Sequence, residues 1–345
     1  MSGRWYNEKG KNSDIVLVSR IRLLRNFSGH TFPDRASETE TASLLALTDE
    51  KLQDLSLPLH EPVSEIPVNM LEDFEIKALE ERHLINKAAM DSGHNYRLYA
   101  SDSEDFSLTV NVEDHVRLLV SRRGQCLEEL WQKIDEVDNY IDALIPYAYD
   151  SKRGFKTSRI SSMGTGMRCY YVLHLPVLSE DMSFDELSGE MSRYGVIVKD
   201  ALNIGTRRVG GLYVIYNQRT LGLSESEIID ILSVVAFRLL ERERHARENT
   251  DPLILKDRVM RSYGILKYAR LLDLTETCRL LSDLMLGESL GYLKTSGSFS
   301  LYELMLGVFP GNLQVYYKNL YNENEIKEKR ASYVQHFLNS IKLTD

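Results

Sequence analysis

Val18-Ser19-Arg20-Ile21-Arg22-Leu23-Leu24-Arg25-Asn26 continues the apolar stretch that begins at Ile15 and sets arginines at alternate positions of an extended run. Alternation puts Arg20 and Arg22 on one face of a strand, where two guanidinium forks can converge on a polyphosphate. The chain has no Gly-x-x-x-x-Gly-Lys-[Ser/Thr] loop. A nucleotide would therefore be held by arginines rather than by a nest of backbone amides.

The composition agrees with a protein that concentrates its positive charge. The 345 residues are 43% hydrophobic and 27% charged, which is ordinary globular usage and enough chain for a large domain plus a smaller one. A formal net charge of -9 argues against a broad nucleic-acid surface and makes any cluster of arginines more informative. Cys126, Cys169 and Cys278 show neither Cys-x-x-Cys spacing nor a histidine partner pattern, so neither a disulfide framework nor a metal site is indicated. Met1 to Asn12 is polar, and no run approaches the roughly 20 apolar residues of a membrane span. A cytoplasmic protein without membrane or nucleic-acid partners of its own is expected.

Between Phe106 and Ser121, Leu108, Val110 and Val112, then Val116, Leu118 and Val120, alternate with polar residues around Glu113-Asp114-His115, which predicts two strand pieces and a polar kink. Leu127, Leu130, Trp131, Ile134, Val137, Ile141 and Leu144 recur at helical spacing and predict one long helix covering a sheet face. Strand-like runs follow at Arg168 to Leu175, Gly195 to Val198 and Leu212 to Tyr216. Ser183-x-x-Glu186 and Ser224-x-x-Glu227 open helices, the second ending in the charged run Glu241 to Glu248. From Leu253 onward the periodicity is helical. The predicted fold is α+β: an antiparallel sheet flanked by helices over 14–248, followed by a helical C-terminal domain over 253–345.

Arg20, Arg22, Arg117 and Arg168 all lie in or beside polar interruptions of apolar strands. Arg168 follows Gly164-Thr165-Gly166, which reads as a turn or as backbone able to approach a phosphate. His83 beside Leu84 and Ile85 is either a packed structural histidine or a group that stacks on a base or donates to a phosphate. Glu113, where a strand breaks near an arginine, is either a solvated hairpin acid or a carboxylate that orients and deprotonates a basic acceptor.

The runs Asp14 to Arg22, Val112-Glu113-Asp114-His115-Val116-Arg117 and Gly164-Thr165-Gly166-Met167-Arg168 resemble, in order and spacing, the motifs of the ATP:guanidino phosphotransferases, the phosphagen-kinase family. Small-molecule kinases of that family carry a helical domain before the first motif. Here the extra region comes last, an arrangement similar to the bacterial protein-arginine kinases, whose C-terminal domain is also resembled by Asp257 to Leu266 and Leu281 to Gly287. The resemblance implies a phosphagen-kinase-like catalytic domain that uses ATP and Mg²⁺. It implies that Arg20, Arg22, Arg117 and Arg168, with Ser19 and Ile21 in the same motif, bind the nucleotide phosphates, that His83 contacts the nucleotide, and that Glu113 grips the acceptor guanidinium. Protein substrates with exposed arginines, a zinc-binding activator protein, the Clp protease system and a homodimer are implied as partners.

The departures from the family fall on the acceptor side. Arg159-Ile160-Ser161-Ser162 stands where the family has Cys-Pro-Thr-Asn, and Lys199-Asp200-Ala201-Leu202-Asn203-Ile204 where it has Arg-Gly-x-x-Gly-Glu. A fifth phosphate-binding cation thus becomes Lys199, without a bidentate fork, and a second carboxylate becomes Ile204. Arg159 is expected to repel an acceptor, and Asp200 is the nearest carboxylate that could compensate. Near the C-terminus only Arg330-Ala331 survives of a phosphoarginine-reading motif, leaving Lys329 and Arg330 as an anion patch or a charged helix end. Two readings follow: a protein-arginine kinase, or a nucleotide-binding regulator that has lost acceptor-side catalysis.

Overall fold

The computed structural model describes residues 4–92, 95–180, 184–202, 209–297 and 299–344. Strand β1 (Val16–Arg25) is the element around which the fold is organised, because it lies in the middle of an eight-stranded sheet and is buried along nearly its whole length. After β1 come helices α1 (Glu38–Lys51) and α2 (Ser56–Leu59), edge strand β2 (Val63–Ile66), and helices α3 (Asp73–Glu81) and α4 (Lys87–Asp91). The chain then forms β3 (Arg97–Ser101), β4 (Phe106–Val110), β5 (Val116–Arg123) and the long helix α5 (Leu127–Leu144). A ribbon of β6 (Tyr149–Asp150) and β7 (Gly154–Phe155) leads to β8 (Met167–His174), α6 (Phe184–Arg193), β9 (Val196–Asp200), β10 (Leu212–Asn217) and α7 (Glu225–Asn249). The spatial order is β2-β3-β4-β5-β1-β8-β10-β9, every pair antiparallel.

The predicted strand pieces around Glu113 are the β4–β5 hairpin, and the long amphipathic helix is α5. The Ser224–Glu227 capping box forms as expected: the Ser224 hydroxyl accepts from the Glu227 amide, and the Glu227 carboxylate accepts from the Ser224 amide at 2.7 Å. Ser183, the cap expected for α6, lies outside the described residues.

The two sheet faces are covered differently. On one, Ile21, Leu23, Leu118, Val120, Cys169, Tyr171 and Ile215 pack against Ile134, Val137 and Ile141 of α5 and Leu232, Val235 and Leu239 of α7. Full burial of side chains of this size contributes roughly 1.5–3 kcal/mol each. On the other face the cover is split. At one end Leu98 and Ala100 pack under Ile76, Leu79, Leu84 and Ala89 of the α3–α4 region. At the other end Leu17, Val18, Val172 and Leu212 pack against Leu281, Leu284, Leu304 and Leu313, which belong to the C-terminal helices. Those are α8 (Pro252–Tyr268), α9 (Leu274–Ser289), α10 (Leu301–Gly307), α11 (Pro310–Tyr317) and α12 (Glu323–Leu338), with a ribbon of β11 (Leu293–Thr295) and β12 (Ile341–Leu343). A bulge between Val16 and Val18 in the β1–β8 pairing lets Leu17 and Val18 both join this second core while Val16 joins the first.

Trp5 and Tyr6, in a segment that reads as polar, are buried in the same core, and the Tyr6 carbonyl accepts from Ser300 Oγ at 2.7 Å. Helix α11 also touches the α3 region. Glu81 at the end of α3 accepts from the Gly311 and Asn312 amides at 3.0 and 2.9 Å, capping α11. A Cβ on Gly311 would stand 2.6 Å from the Ala78 nitrogen, so only glycine permits this approach.

Candidate active site

Between the two covered ends of the second face lies a row of cations. Register puts them on one face: Arg22 opposes Arg168, Arg20 opposes Tyr170 and Ser121, Leu24 opposes Arg117, and Lys199 opposes Val214, which opposes Val172 and through it Val18. Directly opposed residues in an antiparallel pair have Cα atoms only about 4.5–5.5 Å apart. Lys199 is exposed, Arg168 and Arg22 are half-buried, and Arg20 and Arg117 are buried. The row therefore deepens from β9 toward β5.

These guanidiniums are incompletely satisfied. Arg20 Nε donates to Ser121 Oγ at 2.9 Å, but its Nη2 has no partner, and neither do the buried Nε atoms of Arg22, Arg117 and Arg168. Arg117 makes one long bond, 3.5 Å from Nη1 to the Leu84 carbonyl. Burial, then Arg22 and Arg20, hold the Arg117 pKa down to about 10, against a partial offset from Tyr170 and Glu113. Arg168 is lowered by burial and by Arg22, and Arg20 by burial. Several buried donors without acceptors, gathered in a shared cationic field, have the chemistry to accept a polyphosphate. The rings of Tyr170, Tyr216 and Tyr302 surround it: Arg168 and Lys199 lie 5.4 and 5.8 Å from the Tyr216 centroid, and Tyr302 of α10 sits between Arg20 and Arg123.

His83 closes the row. The His83 and Leu84 amides donate back to the Glu80 and Leu79 carbonyls, the double bond of a Schellman motif, with His83 left-handed at φ 67°. Helix termination thus places His83 against the arginines. Burial first, then Arg20 and Arg117, push its pKa well below the usual histidine range, so the ring is neutral.

Ser19 and Ile21 face the opposite way. Ser19 Oγ donates to the Gly124 carbonyl at 2.6 Å and accepts from the Cys126 amide at 3.0 Å, tying β1 to the turn before α5, while Ile21 lies in the helix-covered core. Gly164 and Gly166 serve packing against protein backbone. A Cβ on Gly166 would stand 2.5 Å from the Leu24 carbonyl oxygen, and one on Gly164 would run into that of Thr220.

Glu113 sits at the tip of the β4–β5 hairpin, 24% exposed, within the field of Arg117. The hairpin is closed by Asn111 at φ 66° and by its amide donating to the His115 carbonyl. Asp114 anchors it: its Oδ1 accepts from Asn26 Nδ2 at 2.6 Å and from the Ser158 amide at 2.7 Å. His115 Nδ1 accepts from the Phe27 amide, which leaves Nε2 as the donor to the Thr31 carbonyl. Both Glu113 oxygens are engaged, Oε2 by Asn86 Nδ2 at 3.1 Å and Oε1 by Arg159 Nη2 at 2.5 Å. Repulsion of an acceptor by Arg159 is thus incomplete as a description, because its guanidinium is itself bound by Glu113.

The Asp200 oxygens accept from the Leu202 and Val209 amides, both at 3.0 Å, at the end of β9. Ile204 lies outside the described residues. The Arg330 guanidinium donates to the Val308 and Leu272 carbonyls from a buried position, and Lys329 lies over the Tyr317 and Tyr321 rings. Cys169, deep in the helix-covered core, is held protonated by burial.

Sequence reading missed Asn86, Tyr170 and Tyr302. Asn86 carries one legible signal, being the cap that accepts from the Ala89 amide at the start of α4, but nothing local says its amide group would also meet Glu113.

Residues 48–246 match the family model of the ATP:guanido phosphotransferase C-terminal catalytic domain, and residues 252–345 match that of the protein-arginine kinase McsB C-terminal domain. The chain is 36% identical over 334 residues to the protein-arginine kinase of Bacillus subtilis, covering 96% of this chain and 92% of that protein. It is 33% identical over 340 residues to the protein-arginine kinase of Geobacillus stearothermophilus, with the same coverage. Among solved structures, a duplicated taurocyamine kinase from Schistosoma mansoni superposes with a TM-score of 0.60 at 19% identity, covering 73% of this chain and 38% of that one. A lombricine kinase gives 0.60 at 17% identity, covering 72% and 71%. With its sheet, its cationic row and both halves of its sequence thus accounted for, the chain belongs to the ATP:guanidino phosphotransferase family, among the protein-arginine kinases.

Proposed function

We propose that this protein transfers the γ-phosphoryl group of ATP to arginine guanidinium groups of protein substrates. The observation that carries the reading is the set of unpartnered guanidinium N–H groups on one sheet face beside a carboxylate that already holds a guanidinium. In the proposed roles Arg20, Arg22, Arg117, Arg168 and Lys199 bind the triphosphate, where a dissociative transition state spreads charge over the transferred oxygens. His83, neutral, lies against the nucleotide. Glu113 orients the acceptor fork and takes its proton as the N–P bond forms and the bond to ADP breaks, since a protonated guanidinium has no lone pair to offer. Mg²⁺ would be carried by the nucleotide phosphates and water, because among the described residues no three His, Cys, Asp or Glu side chains are grouped to hold it. When bound, it neutralises phosphate charge.

No described helix is long and apolar enough to cross a membrane. A cytoplasmic location, a zinc-binding activator, the Clp protease system, a homodimer and the division into a catalytic unit over 14–248 and a helical unit over 253–345 complete the proposal on the family resemblance. The non-catalytic regulator gains no support from the relatives. The test is incubation with Mg-ATP and arginine-rich casein followed by mass spectrometry under conditions that preserve phosphoarginine. Acid-labile phosphoarginine is expected. Its absence, in protein that ATP still stabilises thermally, would overturn the reading.

A further inference from the structure

Arg159 is held in place rather than dangling. The segment that carries it is bonded to the Glu113 hairpin through the Ser158 amide on Asp114, and to the residue just after β1 through Asn26 Nδ2 on the Lys156 carbonyl at 3.2 Å. Thr157 Oγ1 donates to the Arg159 carbonyl at 2.8 Å. From this fixed base the guanidinium reaches Glu113, yet the side chain is 72% exposed against 24% for Glu113. The two partners therefore stand to lose unequally on separation. Arg159 can swing into water with its charge solvated, whereas Glu113, partly enclosed, keeps only the Asn86 amide and the field of Arg117 until an incoming cation takes Oε1.

We infer that Arg159 occupies the acceptor position and selects the substrate: a guanidinium entering the site takes Glu113, and the displaced Arg159 pairs with a carboxylate next to the incoming arginine. The preferred acceptors are thus arginines flanked by aspartate or glutamate. With an acidic flank the exchange turns one ion pair into two, whereas an arginine flanked by neutral residues keeps one and leaves Arg159 unpaired, and one flanked by lysine is repelled. This rests on the reading of Glu113 as the acceptor-holding carboxylate.

The test uses single-arginine peptides in a Gly-Ser background, with aspartate, serine or lysine on both sides of the arginine. Binding to the full chain is measured with Mg-ADP, so that no transfer is required, and phosphorylation is measured separately with Mg-ATP. Wild type should bind the aspartate peptide about two- to fivefold more tightly than the serine peptide, the size of an exposed ion pair, and the lysine peptide most weakly. Arg159→Ala should remove the difference between aspartate and serine peptides, and Arg159→Glu should reverse the order. Equal binding of all three peptides by wild type, or an aspartate preference that survives in Arg159→Ala, would overturn the inference while leaving the kinase function intact. Failure of phosphorylation with the binding order preserved would overturn the kinase function and leave the inference standing.

Discussion

Arg117→Met should stabilise the free protein while disabling it. Arg117 is buried beside Arg22 and Arg20, makes one 3.5 Å bond and leaves Nε without a partner. Burial and the neighbouring arginines lower its pKa to about 10, below the usual guanidinium range. A cation whose folded pKa is depressed destabilises the fold at every pH below the folded value and ceases to do so only above the unfolded one. At neutral pH the full shift applies, about 3 kcal/mol at 1.4 kcal/mol per unit. Methionine keeps much of the apolar stem and removes the charge, so urea denaturation of the nucleotide-free variant should show a gain of about 1–3 kcal/mol after the loss of the Leu84 bond. With Mg-ATP the gap should close or reverse. Wild type should gain about 2.7 kcal/mol at a hundred times Kd, and the variant little at the same concentration. A nucleotide-free variant less stable than wild type would refute the claim that this site stores uncompensated charge, and an undiminished ATP effect would refute the role of Arg117 in binding it.

Glu113→Gln keeps the shape of the carboxylate proposed to hold the acceptor without its charge or basicity, and should lower arginine phosphorylation on the order of 10²–10⁴-fold. ATP-induced thermal stabilisation should persist, and parallel loss of both would place Glu113 in nucleotide binding instead. His115, whose pKa burial lowers to about 4 from 6.5, binds fewer protons folded than unfolded. Stability is therefore lost as pH falls from about 6.5 toward 4, about 2 kcal/mol between pH 7.5 and 5.0. His115→Gln should lose that much less over the same interval in urea titrations, and an identical pH dependence would clear His115 of the effect. Glu81→Ala strands the buried Gly311 and Asn312 amides at the start of α11. It should cost about 1–3 kcal/mol by chemical denaturation, and a neutral result would mean water replaces the carboxylate.

What was legible in the sequence was whatever local pattern determines. Alternation gave β1, β4, β5, β8 and β10, and the helical stripe gave α5, because each buries one apolar face against the same core. The cations of the row were legible as residue types breaking apolar runs, and strand register explains why they meet: odd and even positions of five strands fall on common faces. The same parity separates Ser19 and Ile21 from their neighbours Arg20 and Arg22, which motif membership alone does not do. The short strands β2 and β3, the α3–α4 region and the burial of Trp5 and Tyr6 depend on contacts distant in sequence. Arg159 illustrates the limit on chemistry. Its substitution for cysteine was plain, but whether a cation there repels or is captured depends on the Asp114 anchor, which only the fold reveals.

The bulge at Val16 to Val18 makes β1 unevenly tolerant of changes in length. Deleting Leu17 would restore regular pleating and leave every downstream side chain on its present side. Deleting Ser19 would invert the strand on one side of the gap, sending either the arginines into the hydrocarbon between α5 and α7 or the aliphatic half of the strand onto the wrong neighbours. Drift in this strand is therefore confined to substitutions, with one permissive point for indels at its entrance.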